Sequence, residues 1–277
     1  MNNEDATCTK NYKKLRKRQI IIGRRLKFIL LFILISIFLI LLALSPIFNI
    51  RNIEVRGNRH YKSEDIINTS GIIKGINGFK IIGSSIGNIL LLRDGYAEQA
   101  LQKYYPYIKK VVVKYKIPGK IEIDVIERDP LCIVPFLGTN LVMDREGYIV
   151  DTVENLNDIG LPQVRGLKFK EFKLGQALNP ANPEVMYASI KVIDLLLEND
   201  RNDEFKIMKL VNYIDASDLK RIILSVDSRI IVNIGDQQDL NYKINFLKQI
   251  YSKNLKKDDR GYLDFTNRKY PSFIPQN

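Results

Sequence analysis

Seventeen consecutive positions, Phe28 to Leu44, carry a single polar residue, Ser36. With Ser45, Pro46, Ile47 and Phe48 the stretch reaches about 21 residues, enough to cross roughly 30 Å of hydrocarbon as a helix. No soluble domain of ordinary size accommodates such a segment on its surface, so the run predicts a transmembrane helix over residues 28–48. Nine cations precede it, Lys10, Lys13, Lys14, Arg16, Lys17, Arg18, Arg24, Arg25 and Lys27, with no acid after Asp5. The first segment beyond it offers only Arg51, Arg56, Arg59 and Lys62. The positive-inside bias therefore predicts a cytoplasmic tail over residues 1–27, with Arg16, Lys17, Arg18, Arg24, Arg25 and Lys27 as the topology determinants nearest the span and everything after it outside.

A cleaved signal peptide has the same polarity, but its apolar core spans only about 7–15 residues. The best small-x-small site, Ala43-Leu44-Ser45, would leave Pro46 directly after the cut, where its ring and missing N–H hinder a peptidase. The anchor is expected to be retained. Of the formal net charge of +12, nine cations against Glu4 and Asp5 place +7 in residues 1–27, which leaves +5 for the remainder. That exterior is too mildly basic for a nucleic-acid surface, and it tolerates at most a weak contact with anionic lipid or wall polymer. Cys8 and Cys132 fall on opposite sides of the membrane in this topology, so a packed core has to hold the exterior together without a disulfide.

Periodicity divides the exterior into short elements. Ile50, Ile53 and Val55 mark a strand closed at Gly57-Asn58, and Ser63 can cap a brief helix with Ile66 and Ile67 that ends near Gly71. The glycine-rich stretch 71–88 resists regular structure. A second helix, from about Asp94 to Tyr104, puts Ala97, Ala100, Leu101 and Tyr104 on one face. A strand from Ile108 to Ile117 leads to a turn at Pro118-Gly119. The next strand alternates, with Ile121, Ile123 and Val125 inward and Lys120, Glu122 and Asp124 outward.

Strand, helix, helix, strand, strand is the βααββ order of a POTRA domain, and particular residues carry the resemblance. Phe48-Asn49-Ile50-Arg51-Asn52-Ile53-Glu54-Val55-Arg56-Gly57-Asn58, Pro106-Tyr107-Ile108-Lys109-Lys110-Val111, and Ile121 to Pro130 with its Val-x-Glu-Arg-x-Pro ending resemble the FtsQ-type POTRA pattern of the bacterial cell-division family FtsQ/DivIB. Further along, Leu141 to Val150 reads as a hairpin around Gly147. The segment Leu161-Pro162-Gln163-Val164 with Gly166 is similar to the family's segment just after that hairpin. Asn182 can cap a helix opened by Pro183, with Val185, Met186, Ser189, Ile190, Ile193 and Leu197 as its apolar stripe. Strands at Lys209 to Ile214, Arg221 to Val226 and Ile230 to Ile234 come next, then a helix around Ile244, Leu247, Ile250 and Tyr251, and a last strand, Gly261 to Phe265.

The expected fold class is α+β: a single transmembrane helix, a POTRA domain over 49–128, a mixed β-rich domain with flanking helices over 129–270, and a short tail over 271–277.

Enzymatic readings find little support. His60 sits in the polar turn Gly57-Asn58-Arg59-His60, and Cys132 is flanked by Leu131, Ile133 and Val134 as a buried, inert thiol would be. Ser217-Asp218-Leu219-Lys220 and Ser252-Lys253-Asn254 imitate two motifs of penicillin-binding enzymes, but the Lys-Thr/Ser-Gly strand is missing. Asp144 with Glu146 and Gly147 lacks the closing Glu of a calcium loop, because Asn155 stands there. Gly83-Ser84-Ser85-Ile86-Gly87 lacks the lysine of a phosphate loop. No cofactor or metal site is expected.

The resemblance implies a non-catalytic scaffold at the division septum. Its partners would be bitopic proteins of the FtsL and FtsB (DivIC) type, and through them the septal peptidoglycan synthase complex. It also implies that the strand Tyr262, Leu263, Asp264 and Phe265 is an edge strand that receives such a partner; the alternative is a core strand whose open edge is covered by residues 266–277. Alternation along it turns Tyr262 and Asp264 one way and Leu263 and Phe265 the other. A POTRA-bearing secretion or transport component is the alternative reading of the same pattern.

Overall fold

A computed structural model describes residues 25–155, 159–267 and 270–276. The basic residues Arg16, Lys17, Arg18 and Arg24 lie outside the described residues, while Arg25 and Lys27 open the first helix. That helix, α1 (Arg25–Ala43), is long and apolar enough to cross a membrane. At 1.5 Å per residue it extends about 28 Å, and its Leu, Ile and Phe side chains stand exposed along the whole length. A 3-10 turn, Pro46–Phe48, comes after it, with the Ser45 hydroxyl accepting from Ile47 N–H.

The chain divides into two compact units. The first gathers residues up to Arg56 with Ser63–Glu98 and Val112–Asp124, and the second gathers Gly57–Lys62, Gln99–Val111 and Val125–Asn277.

β1 (Asn52–Arg56), α2 (Ser63–Ser70), a five-residue helix α3 (Ile86–Leu90), α4 (Gly95–Tyr104), β2 (Ile108–Lys116) and β3 (Lys120–Glu127) come first in the chain. The three strands form a sheet in the order β1-β3-β2, with β1 parallel to β3 and Val55 opposite Ile123. The alternation read in β3 holds: Ile121 and Ile123 are fully buried and Val125 nearly so. The glycine-rich stretch, expected to be irregular, contains the helix α3; Ser85 caps it by accepting from Asn88 N–H at 3.2 Å. Asp94 opens α4 by accepting from Tyr96 and Ala97 N–H at 3.1 and 3.0 Å, which satisfies two of the helix's otherwise unpaired donors.

The second sheet has nine strands among the described residues, in the order β12-β11-β10-β9-β8-β7-β4-β5-β6. These are β4 (Pro130–Phe136), β5 (Thr139–Asp144), β6 (Ile149–Val153), β7 (Gln163–Arg165), β8 (Val211–Asp215), β9 (Ile222–Val226), β10 (Ile230–Gly235), β11 (Gly261–Asp264) and β12 (Ser272–Pro275). Its core is shared with α5 (Pro183–Asp200) and α6 (Leu240–Lys253), which contribute Val192, Ile193, Leu196, Ile244 and Leu247, all fully buried. Each such side chain stabilises by roughly 1.5–3 kcal/mol through burial.

Two expectations for α5 need correction. The expected stripe holds at Val185, Met186, Ser189 and Ile193, all buried, and the buried face widens to take in Ala188, Val192 and Leu196, but Leu197 is 38% exposed. Asn182 makes no side-chain cap; instead it donates to the Gly166 carbonyl at 2.9 Å and accepts from Lys168 N–H at 3.0 Å, tying down the incoming loop. Residues 271–277, expected as a tail, contain the strand β12.

Candidate partner interface

The strand expected at the edge of the β-rich sheet is not at the edge. Along β11 the odd residues point their backbone toward β10, since Gly261 N–H donates to Arg229 O at 3.2 Å and Phe265 N–H to Asn233 O at 2.8 Å. The even residues face β12, in a register that sets Tyr262 opposite Ile274 and Asp264 opposite Ser272. Both sides of β11 are therefore occupied. The facing of its side chains is as read: Leu263 and Phe265 are buried at 1% and 3% exposure, while Tyr262 and Asp264 are half-buried. Asp264 accepts from Thr266 N–H at 2.7 Å and from the Asn233 amide at 3.4 Å.

Among the described residues, the strand that ends the sheet on this side is β12. Gln276 N–H donates to Arg260 O at 2.9 Å, which sets the phase of the antiparallel ladder. Residues 272, 274 and 276 turn their backbone toward β11, and Phe273 and Pro275 turn theirs outward. Because Pro275 has no N–H, the outer side of this short strand presents one donor, Phe273 N–H, and the carbonyls of Phe273 and Pro275. Pro271 precedes it and Pro275 ends it, as prolines do on edges that must not pair indiscriminately. The ladder also needs Gly261: a Cβ there would lie 2.3 Å from Ile274 O and 2.9 Å from the Phe273 ring. From Phe265, just after β11, an aromatic row leads outward onto α6, with Phe265 6.4 Å from Phe246 and Phe246 stacked 5.8 Å from Tyr242, which is 53% exposed.

The opposite end of the sheet is less available. Ile149, at the start of β6, donates to Gln176 O and accepts from Gly175 N–H, so the loop 175–177 covers that flank. Tyr107 hydroxyl donates to Asp151 on the same strand at 3.3 Å, and burial together with the Asp151 carboxylate pushes the Tyr107 pKa well above the usual phenol range.

The Val-x-Glu-Arg-x-Pro segment proves to be a structural clamp. Glu127 carboxylate accepts the backbone N–H groups of Arg59, His60 and Tyr61 at 2.8, 2.7 and 3.3 Å. His60 itself stacks on the Tyr107 ring at 3.8 Å between centroids. Arg128 is buried over the Tyr148 ring, 3.5 Å from its centroid, and pairs with Asp144 at 2.6 Å and Glu146 at 2.9 Å. Burial opposes its charge, but the two carboxylates outweigh that and hold its pKa above the ordinary value. Lys109 and Arg128 hold Glu146 below the usual carboxylate range. Asp144 additionally accepts from Glu146 and Tyr148 N–H, so the acidic turn read near Gly147 is an internally satisfied loop.

The residues weighed for catalysis are likewise engaged in structure. Cys132 is fully buried, and burial aided by Asp144 pushes its thiol up to about 12. Ser217 donates to Asp215 at 2.6 Å, and Lys220 N–H donates to Asp218 at 2.9 Å, as in a polar turn. Among the described residues, no group of three or more His, Cys, Asp or Glu is placed to hold a metal ion.

Residues 48–128, from the end of the span through Arg128, match the family model of the POTRA domain, FtsQ-type. Over 274 residues, 98% of both chains, the sequence is 30% identical to the cell division protein DivIB of Clostridium botulinum. The chain belongs to the DivIB/FtsQ family of cell division proteins. It is also 26% identical to DivIB of Clostridium tetani over 86% of this chain and 84% of that one, and 24% identical to FtsQ of Corynebacterium glutamicum over 70% and 75%. The α+β architecture, the FtsQ-type POTRA domain and a role in bacterial cell division agree with the sequence reading, and α1 is consistent with a membrane anchor.

Sequence reasoning held cover of Tyr262 to Phe265 by residues 266–277 only as the alternative, and it assigned no strand there. Ser272-Phe273-Ile274-Pro275 follows one proline and ends on another, and it carries no period long enough to register as a strand.

Proposed function

We propose that this protein is a non-catalytic, single-pass scaffold of the bacterial division machinery, with its basic tail in the cytoplasm and its folded part outside at the septum. There it holds bitopic proteins of the FtsL and FtsB (DivIC) type and so helps to control septal peptidoglycan synthesis. The observation that carries this reading is the outer side of β12, the strand that ends the nine-stranded sheet among the described residues. An extended segment of the partner extends the sheet there, bonding to Phe273 N–H and to the carbonyls of Phe273 and Pro275. The strand Tyr262 to Phe265 serves as the inner wall that keeps β12 in register.

The test compares Phe273→Pro with Phe273→Ala. Both lose the ring, but only proline removes the outward donor. Expected is loss of co-purification with the DivIC-type partner for the proline variant and retention for alanine, with both proteins folded in the membrane. Equal co-purification of the two would remove β12 as the docking edge. A reporter fused after Asn277 checks the orientation independently, and activity inside the cytoplasm would overturn it.

A further inference from the structure

Among the described residues, two helices carry runs of largely exposed aliphatic side chains: the span α1, and the five-residue α3. On and just after α3, Ile86 and Leu90 are 79% and 78% exposed and Ile89 and Leu91 54% and 53%. Four adjacent bare aliphatic side chains are not the scattered exposure a soluble surface tolerates. We propose that this loop is a second membrane contact, seated in the headgroup boundary of the leaflet at which α1 ends. The inference rests on α1 being a membrane anchor.

The placement comes from how the loop is held. At its first foot, the buried Asn77 donates to the carbonyls of Ala43 at 2.8 Å and Ser45 at 3.4 Å, the last residues of the span, and Phe79 packs edge-on against Phe48 at 5.2 Å. At its second foot, Leu92 O accepts from Tyr115 N–H at 2.8 Å, and the Tyr115 hydroxyl lies 2.9 Å from Phe48 O. Both ends of residues 81–91 are thus within one side chain of residues 43–48, where the helix leaves the hydrocarbon. The apolar surface is continuous in kind with that exit, where Leu44 and Ile47 are 58% and 55% exposed.

Charge favours a lipid occupant over other covers. From Ile66 through Arg93 the chain contains no acid, and its cations are Lys74, Lys80 and Arg93, the last paired with Glu98. Lysines flanking an apolar wedge suit an anionic headgroup layer, to which they add attraction while the aliphatic side chains enter the acyl boundary. Seated this way, the loop would give the membrane-proximal unit a second point of attachment and restrict its swing about residues 44–49.

The chain has no tryptophan, so one can be introduced as a unique probe. Leu90→Trp and, as a second site, Ile86→Trp would be placed in the full-length protein in nanodiscs of phosphatidylcholine and phosphatidylglycerol, at one chain per disc. Phe38→Trp in the span gives the lipid-buried reference, and a free tryptophan amide the water reference. With the indole about 5–10 Å into the boundary, lipids brominated near the headgroup should cut the emission of both loop variants to half or less, and iodide should quench them several-fold more weakly than the free amide. Iodide quenching equal to that of the free amide overturns the inference. Shielding from iodide without quenching by bromolipid also overturns it, because the cover is then protein. A chain that does not enter the discs overturns the anchor and this inference together, whereas a quenched Phe38→Trp indole beside an exposed loop indole overturns this inference alone.

Discussion

The three-stranded and nine-stranded sheets handle charge in different ways. On the small sheet, Glu54, Arg56, Lys116, Lys120 and Glu122 form a web on the outer face, with Lys120 2.5 Å from Glu54 and 3.1 Å from Glu122. The unit of the large sheet also has surface pairs, such as Arg145 with Asp194, but it adds two that are interior. Arg128 and Asp144 have side chains 7% and 5% exposed, and Lys248 and Asp200 are both 7% exposed at 2.8 Å, with Asp203 and the Asn199 carbonyl completing the surroundings of the Lys248 ammonium. Burial disfavours that ammonium, yet the carboxylates of Asp200 and Asp203 raise its pKa. A surface web is screened by water and salt and is worth little per pair, whereas a buried ion becomes costly once its partner is gone. The small sheet is thus held by its apolar layer, and the larger unit depends in addition on a few polar clamps.

Substitutions sharpen that contrast. Arg128→Ala leaves Asp144 buried without its cation and should cost about 3–5 kcal/mol, read as a lower urea midpoint for the full chain in detergent. A loss under about 1 kcal/mol would show that this pair behaves like a surface bridge. In the small sheet comparable damage requires the core: Ile123→Asp buries an unpartnered carboxylate and should cost about 3 kcal/mol. Glu122→Lys, one position away on the outer face, is milder but not neutral, because the new cation meets Arg56, Lys116 and Lys120. A smaller fall in the urea midpoint than for Ile123→Asp is expected, and equal losses at 122 and 123 would refute the register of β3.

The smallest effect is a pH dependence. The hydrogen bonds of Arg56 and Lys120 lower Glu54 from 4.5 to about 2. Since the folded state holds the carboxylate ionised, the stabilisation is complete above the unfolded value near 4.5 and is lost as pH falls toward 2. The stability difference between wild type and Glu54→Gln should therefore shrink over that window, and added salt should reduce it at neutral pH. A difference that stays constant from about pH 6 to about 2 would remove Glu54 from the acid response.

Legibility in the sequence tracks the range of the interaction. The apolar run of α1, the alternation of Ile121, Glu122, Ile123 and Asp124 in β3, the turn at Gly147 and the opening of α5 at Pro183 are set by neighbours within a few positions, and each can be read directly. The Val-x-Glu-Arg-x-Pro segment is recognisable as a pattern, but its work is not. Glu127 receives N–H groups from 66–68 positions earlier, and Arg128 meets a carboxylate 16 positions later. The buried Lys248 reads in sequence as one more cation on α6.

By itself, then, the sequence determined the long apolar run and its flanking charges, the βααββ order, the facing of side chains in β3 and β11, and the family, because periodicity and motif are local properties of the chain. Tertiary structure alone decided which strand ends the sheet. Tyr262 to Phe265 and Ser272 to Pro275 are both short extended segments near the C-terminus, and nothing in either states which lies outside. That is settled by backbone groups of residues 229–233 and 272–276 competing for the two sides of β11, a pairing between distant parts of the chain that becomes visible only once the fold has brought them together.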